Sequence, residues 1–103
     1  MDIIRHPGED LFFEAILSLR TVEDCRLFFE DVATIMELQA MSQRFRVACL
    51  LDRGENYIEV SESTGASSAT ISRVNRCLLY GGGYRTALDR LKEAGTLPES
   101  GEK

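Results

Sequence analysis

Tyr57-Ile58-Glu59-Val60-Ser61-Glu62-Ser63-Thr64-Gly65-Ala66-Ser67-Ser68-Ala69-Thr70-Ile71-Ser72-Arg73-Val74-Asn75-Arg76-Cys77-Leu78 is the stretch that decides the fold of this chain. Gly65 stands at its centre. A tight turn between two helices needs a backbone that accepts positive φ, and glycine does so without a Cβ penalty. Helices joined by a three- or four-residue turn also pack closely at a steep angle, and Ser61, four residues before the glycine, is small enough to permit it. Ser67 is placed to cap the second helix. Val60, Ile71, Val74 and Leu78 are the apolar residues that hold the pair together, and the last three recur at i, i+3 and i+7 on one helix face. The stretch predicts a helix-turn-helix over about 56–79, with helices near 56–64 and 68–79.

The opposite face of the second helix carries different chemistry. Ala69, Ser72, Arg73 and Arg76 form a small, hydroxyl-bearing and basic stripe. Small residues let a helix sink into a groove, and hydroxyls at Ser68, Thr70 and Ser72 can bond phosphates or base edges. A thymine methyl can pack on Ala69 or the Thr70 methyl. The helix start at Ser67 suits a phosphate, and Arg73 and Arg76 reach phosphate or guanine. The expected DNA-contacting set is Ser67, Ser68, Ala69, Thr70, Ser72, Arg73 and Arg76, and the expected partner is double-stranded DNA.

Outward from this motif the whole chain reads helical, with about six helices in all. The other four are expected near 9–19, 22–32, 35–52 and 84–94. Thr21 caps the second, and Thr34 with Glu37 forms a capping box for the third. Ile35, Leu38, Met41, Phe45, Ala48 and Cys49 line one side of that long helix, which Arg53-Gly54 ends. Gly81-Gly82-Gly83 follows a helix rather than a strand, so it reads as a helix stop or hinge and not as a phosphate cradle. The expected organisation is a single helical domain over 1–95 and a flexible polar tail over 96–103. The first two helices are apolar nearly all round, more than 103 residues can hide alone. A homodimer with interlocked N-terminal helices follows as the expectation.

Charge is uneven along the chain. The net charge is −5, but residues 1–40 carry nine acids and three arginines, whereas residues 41–90 carry seven arginines and five acids. Only the second region offers a phosphate-facing surface. No apolar run approaches a membrane span. The start Met1-Asp2-Ile3-Ile4-Arg5-His6 lacks the layout of a signal peptide, so a cytoplasmic location is expected. Cys25, Cys49 and Cys77 are widely spaced with no CxxC, which argues for reduced, partly buried thiols rather than a disulfide framework or zinc site. No metal site, cofactor or catalytic residue is expected: His6 is the only histidine, and no paired carboxylates or activated nucleophile stand in a plausible context.

Three segments carry a family resemblance. They are Ala40-Met41-Ser42-Gln43-Arg44-Phe45-Arg46-Val47, Leu50-Leu51-Asp52-Arg53-Gly54-Glu55 and Gly65-Ala66-Ser67-Ser68-Ala69-Thr70-Ile71-Ser72-Arg73. Over roughly residues 20–92 the chain resembles the tryptophan-repressor superfamily, and more closely its YerC/YecD-type subgroup. The resemblance implies an all-α, intertwined homodimer that presents two reading helices to successive major grooves of a roughly palindromic operator. It also implies an effector pocket at Thr34, Arg44, Arg73, Val74 and Cys77. Val74 stands where the family has a small glycine that leaves room for an indole ring, and Cys77 stands where it has a serine. The expectation is that Val74 fills that space, so that the protein binds DNA without tryptophan or uses another small-molecule effector. Arg44, on the edge of an apolar stripe, needs an anionic partner: a ligand carboxylate, a phosphate, or an acid such as Asp31 or Glu37.

Two functions fit these residues. One is a sequence-specific transcription regulator, most simply a dimeric repressor that occludes its operator. The other is a small-molecule sensor or protein-interaction domain that kept the fold without operator binding, which the acidic N-terminal region favours.

Overall fold

The computed structural model describes residues 6–98 and contains six helices among them, with no strand. They are α1 (Glu9–Leu17), α2 (Val22–Val32), α3 (Ile35–Asp52), α4 (Tyr57–Thr64), α5 (Ser68–Tyr80) and α6 (Gly83–Glu93). The expected all-α class and the six elements hold. The chain divides into two compact units, Met1–Leu38 and Gln39–Lys103, where the sequence suggests one domain over 1–95.

In the first unit, α1 is two residues shorter than expected. The Ser18 hydroxyl donates to the Ala15 carbonyl at 2.6 Å and the Leu19 N–H turns back to Ile16, which closes the helix at Leu17. Thr21 caps α2 as expected, accepting from the Asp24 N–H at 2.9 Å. The box that opens α3 is also present: Glu37 Oε1 accepts from the Thr34 N–H at 2.8 Å, and Thr34 Oγ1 from the Glu37 N–H at 3.0 Å. The Thr34 backbone bond, then the Thr34 side chain, lowers the Glu37 carboxyl below its ordinary pKa. The contribution of this cap is therefore present at neutral pH and lost as the pH falls through that carboxyl's titration. Phe12 and Phe28 meet with ring centroids 5.8 Å apart. Neither α1 nor α2 has a buried residue, and Leu11, Leu17, Val22, Ile35 and Met36 are all exposed.

The second unit contains the core. Val47, Ala48 and Leu50 of α3, Val60 of α4, Ala66 of the turn, Ile71, Val74 and Leu78 of α5, and Leu88 of α6 are buried. Phe45, Cys49, Leu51 and Tyr84 pack against them. The stripe expected on α3 is thus apt in its C-terminal half, through Phe45, Ala48 and Cys49, while Ile35 and Met41 remain exposed. The inner stripe of α5 is as expected; each such side chain contributes about 1.5–3 kcal/mol by leaving water.

α5 runs one residue beyond expectation and stops at Gly81, where a Cβ would come within 2.8 Å of the Cys77 carbonyl oxygen. Gly83 belongs to α6, so the break is confined to Gly81 and Gly82. After α6 the Thr96 and Leu97 N–H groups both donate to the Leu91 carbonyl, and Leu97 packs on the core. The start of the expected tail is therefore tied down, and its remainder, 99–103, lies outside the described residues.

An ion-pair cluster fastens α6 to the end of α3. Asp52 accepts from Arg85 Nη2 at 2.7 Å and from Lys92 Nζ at 2.5 Å, and Arg85 Nη1 reaches Asp89 at 3.3 Å. The Asp52 side chain is only 8% exposed. Its hydrogen bond raises the Arg85 pKa, against a smaller opposing effect of burial. Replacing Asp52 by Asn leaves the shielded Lys92 ammonium facing a neutral group. We expect Asp52→Asn to lower unfolding stability by about 2 kcal/mol, below the cost for a fully buried pair because Arg85 is partly exposed. Urea denaturation measures it, and an unchanged midpoint would show that the cluster adds nothing.

Candidate nucleic-acid interface

The turn at Gly65 is built by its own side chains. Gly65 adopts a φ of 75° and nothing lies within 4 Å of an added Cβ, so glycine is needed here for its backbone conformation rather than for space. Its N–H donates to the Ser61 carbonyl at 2.8 Å, and the Ser61 hydroxyl donates to the Ala66 carbonyl at 3.0 Å. Ser61 thus allows close approach and also ties the turn. The Thr64 hydroxyl donates to the Val60 carbonyl at 2.7 Å and accepts from the Ala66 N–H at 3.1 Å. Ahead of α4, Asn56 and Glu59 form a second capping box with both bonds at 2.9 Å. The signal Asn-x-x-Glu for this box is legible in the sequence.

Beyond the turn, Ser67 caps α5: its Oγ accepts from the Thr70 N–H at 3.2 Å and its hydroxyl donates to Thr70 Oγ1 at 3.1 Å. Ser67, Ser68, Ala69, Ser72, Arg73 and Arg76 are all exposed, and Thr70 is half-buried. The structure therefore places the expected DNA-contacting set along the N-terminal two-thirds of one helix. Within it, Thr70 has its hydroxyl engaged by Ser67, which leaves Ser68 and Ser72 as the freer hydroxyls. Neither arginine pairs with a carboxylate among the described residues.

The residues expected in an effector pocket fall in both units, Thr34 in the first and Arg44, Arg73, Val74 and Cys77 in the second. Thr34 lies in the first unit, exposed and occupied as a cap. Arg44 is half-buried on α3 and has no carboxylate partner among the described residues of its own unit. Glu37 is turned to the Thr34 N–H. Val74 is 1% exposed and belongs to the core. Cys77 is exposed, not on the inner face with Val74: three residues on, it is rotated about 60° toward the edge of the stripe. Cys25 is exposed as well, so only Cys49 meets the expectation of a partly buried thiol, and burial foremost, with Asp52 next, raises its pKa.

Two clefts adjoin at Cys77 and Gly81. One, about 370 Å³, is lined by Phe45, Cys77, Gly81, Gly83, Tyr84 and Ala87. The other, about 560 Å³, is lined by Arg73, Arg76, Cys77, Tyr80 and Gly81. Tyr80, Phe45 and Tyr84 were not anticipated there, because their convergence depends on how α6 returns after Gly81. Among the described residues no cluster of His, Cys, Asp or Glu is arranged to hold a metal ion, and no helix is long and apolar enough to cross a membrane.

Comparison with known proteins agrees with this geometry. The Trp repressor protein family matches residues 8–92, a longer span than the motifs alone cover. YerC, an uncharacterized protein of Bacillus subtilis (strain 168), is 48% identical over 97 residues, 93% of each chain. A crystal structure described as a TrpR-like protein from Eubacterium eligens is 46% identical, with a TM-score of 0.83 over 92% of this chain and 96% of that one. A Staphylococcus aureus protein whose crystal structure was solved as a candidate Trp repressor is 43% identical, with a TM-score of 0.81 over 85% of this chain and 89% of that one.

Proposed function

Because the chain belongs to the Trp repressor family, a non-enzymatic regulator fold, we propose that it is a sequence-specific DNA-binding transcription regulator that reads the major groove with α5. The observation that carries this reading is the two-sidedness of α5. Ile71, Val74 and Leu78 are buried, while Ser68, Ala69, Ser72, Arg73 and Arg76 stand bare on the far side. The active form is a homodimer, supported by the exposed apolar side chains of α1 and α2, such as Leu11, Leu17 and Val22. It represses by occupying a palindromic operator in the cytoplasm. Val74 makes it independent of tryptophan: its side chain completes the core where an indole would need room. Any effector is a different small molecule, with Arg44, Arg73 and Cys77 among the groups available to it.

A second reading, a sensor or protein-interaction domain without operator binding, has one observation in its favour. α4 carries Glu59 and Glu62 and no basic residue, so it offers no cation to phosphates. Selection of bound duplexes from a random pool, with and without tryptophan, separates the two. The regulator reading expects the same palindromic motif in both pools, with half-sites about one helical turn apart. Recovery of no motif favours the second reading, and a motif that appears only with tryptophan overturns the role given to Val74.

On the selected duplex, Arg73→Ala and Arg76→Ala are each expected to weaken binding, by about 1–3 kcal/mol where guanine is contacted. Where a phosphate is contacted instead, each dimer loses two contacts and the slope of log affinity against log salt falls by about two. Fluorescence anisotropy across a salt series distinguishes these outcomes. Unchanged affinity and slope in both variants would rule out this docking of α5.

A further inference from the structure

We propose that Gln43 is the positioning residue that sets the helix-turn-helix on α3, an inference that rests on the DNA-binding reading above. Thr64 is the last residue of α4, and the final carbonyls of a helix have no partner within it. The rest of the turn satisfies itself locally through Ser61, Thr64, Gly65 and Ala66. The Thr64 carbonyl is different. It accepts from Gln43 Nε2 at 3.1 Å, across 21 residues of sequence, in a part-buried setting. Among the described residues, Gln43 is the one side chain outside the motif whose hydrogen bond enters the turn.

The placement of Gln43 makes this bond a matter of orientation. Gln43 and Val47 are four apart on α3 and share a face, and Val47 is fully buried in the core. Gln43 itself is half-buried, and its N–H₂ reaches the end of α4. Apolar contacts through Val60 and Ile71 hold the two helices together but are not directional. A hydrogen bond at the turn supplies the direction and so fixes the angle at which α5 leaves α3. In a dimer that angle governs whether two reading helices meet successive grooves together. Base contacts require that register, whereas general attraction to phosphates does not.

The test uses the full chain, with Gln43→Ala and the near-isosteric Gln43→Glu, which places an acceptor against the Thr64 carbonyl. Affinity is measured for the selected duplex and for a scrambled one. Both variants should lower the ratio of the two affinities by about fivefold for each subunit, the size of one net hydrogen bond. Gln43→Ala should leave affinity for scrambled DNA and its salt slope unchanged. A purely structural role would instead lower the melting temperature and both affinities together, and that result, or an unchanged ratio in Gln43→Glu, overturns the proposal. Amide exchange at Gly65 and Ala66 in the free protein should quicken in both variants; unchanged protection there also overturns it. Failure of the wild-type chain to bind any duplex removes the DNA-binding reading instead, while exchange still reports whether the tie orders the turn.

Discussion

Burial of a single stripe of α5 is the constraint on which the second unit depends. Ile71 and Val74 are sealed and Leu78 nearly so, and the helices around them supply Val47, Ala48, Leu50, Val60 and Leu88 to the same cluster. An amphipathic helix that spends one face on its core has only the other to offer a ligand. Here that face carries no large apolar residue between Ser68 and Arg76 apart from the buried pair. The steep turn at Gly65 is what lets α5 bury one side while its start stays open. The same constraint bears on ligand binding. Val74 belongs to the core, so room for a ring at that point would come at the expense of the packing that holds α5.

α3 carries the rest of the unit from two points. Gln43 holds the turn after α4, and Asp52 holds α6 through Arg85 and Lys92. These residues are about two and a half turns apart and lie on roughly opposite sides of the helix. One side of α3 thus positions the entry to α5 and the other positions the element that follows it. Gly81 completes the frame, because only a residue without a side chain can end α5 so close to the Cys77 carbonyl. The clefts on either side of Cys77 are a consequence of that abrupt stop.

Much of this was legible in the sequence because it is local. Caps at Thr21, Thr34 and Ser67, the Gly65 turn and the i, i+3, i+7 stripe of α5 each depend on residues within one or two helical turns. The end of α1 was misjudged by two residues because Ser18 closes it through its own hydroxyl, an arrangement that apolar spacing does not signal. What could not be read depends on partners far apart in sequence. Gln43 meets Thr64 across 21 residues, and Asp52 meets Lys92 across 40. Leu97 returns to the core from a segment whose polar composition suggested a loose tail. Cys77 lines both clefts, but it lies beside the buried stripe and is exposed, where its position in the sequence suggested a partly buried thiol.

The distribution of cations bears on how such a chain binds DNA at all. In the second unit Arg53, Arg85 and Lys92 already pair with carboxylates. Arg44, Arg46, Arg73, Arg76 and Arg90 have none among the described residues, and only Arg73 and Arg76 of these lie on α5. Two phosphate contacts from one chain give a salt slope of only about −1.8, a weak hold for a protein whose net charge is itself negative. Paired on a symmetric site, the same two arginines count twice while each chain's acidic first unit need not face the duplex. In the proposed dimer, doubling would supply the electrostatic part of the affinity as well as cover for the apolar side chains of α1 and α2. The two features of this sequence that look least suited to a DNA-binding protein, its acidity and its exposed N-terminal leucines, would thus both be answered by the proposed second copy of the chain.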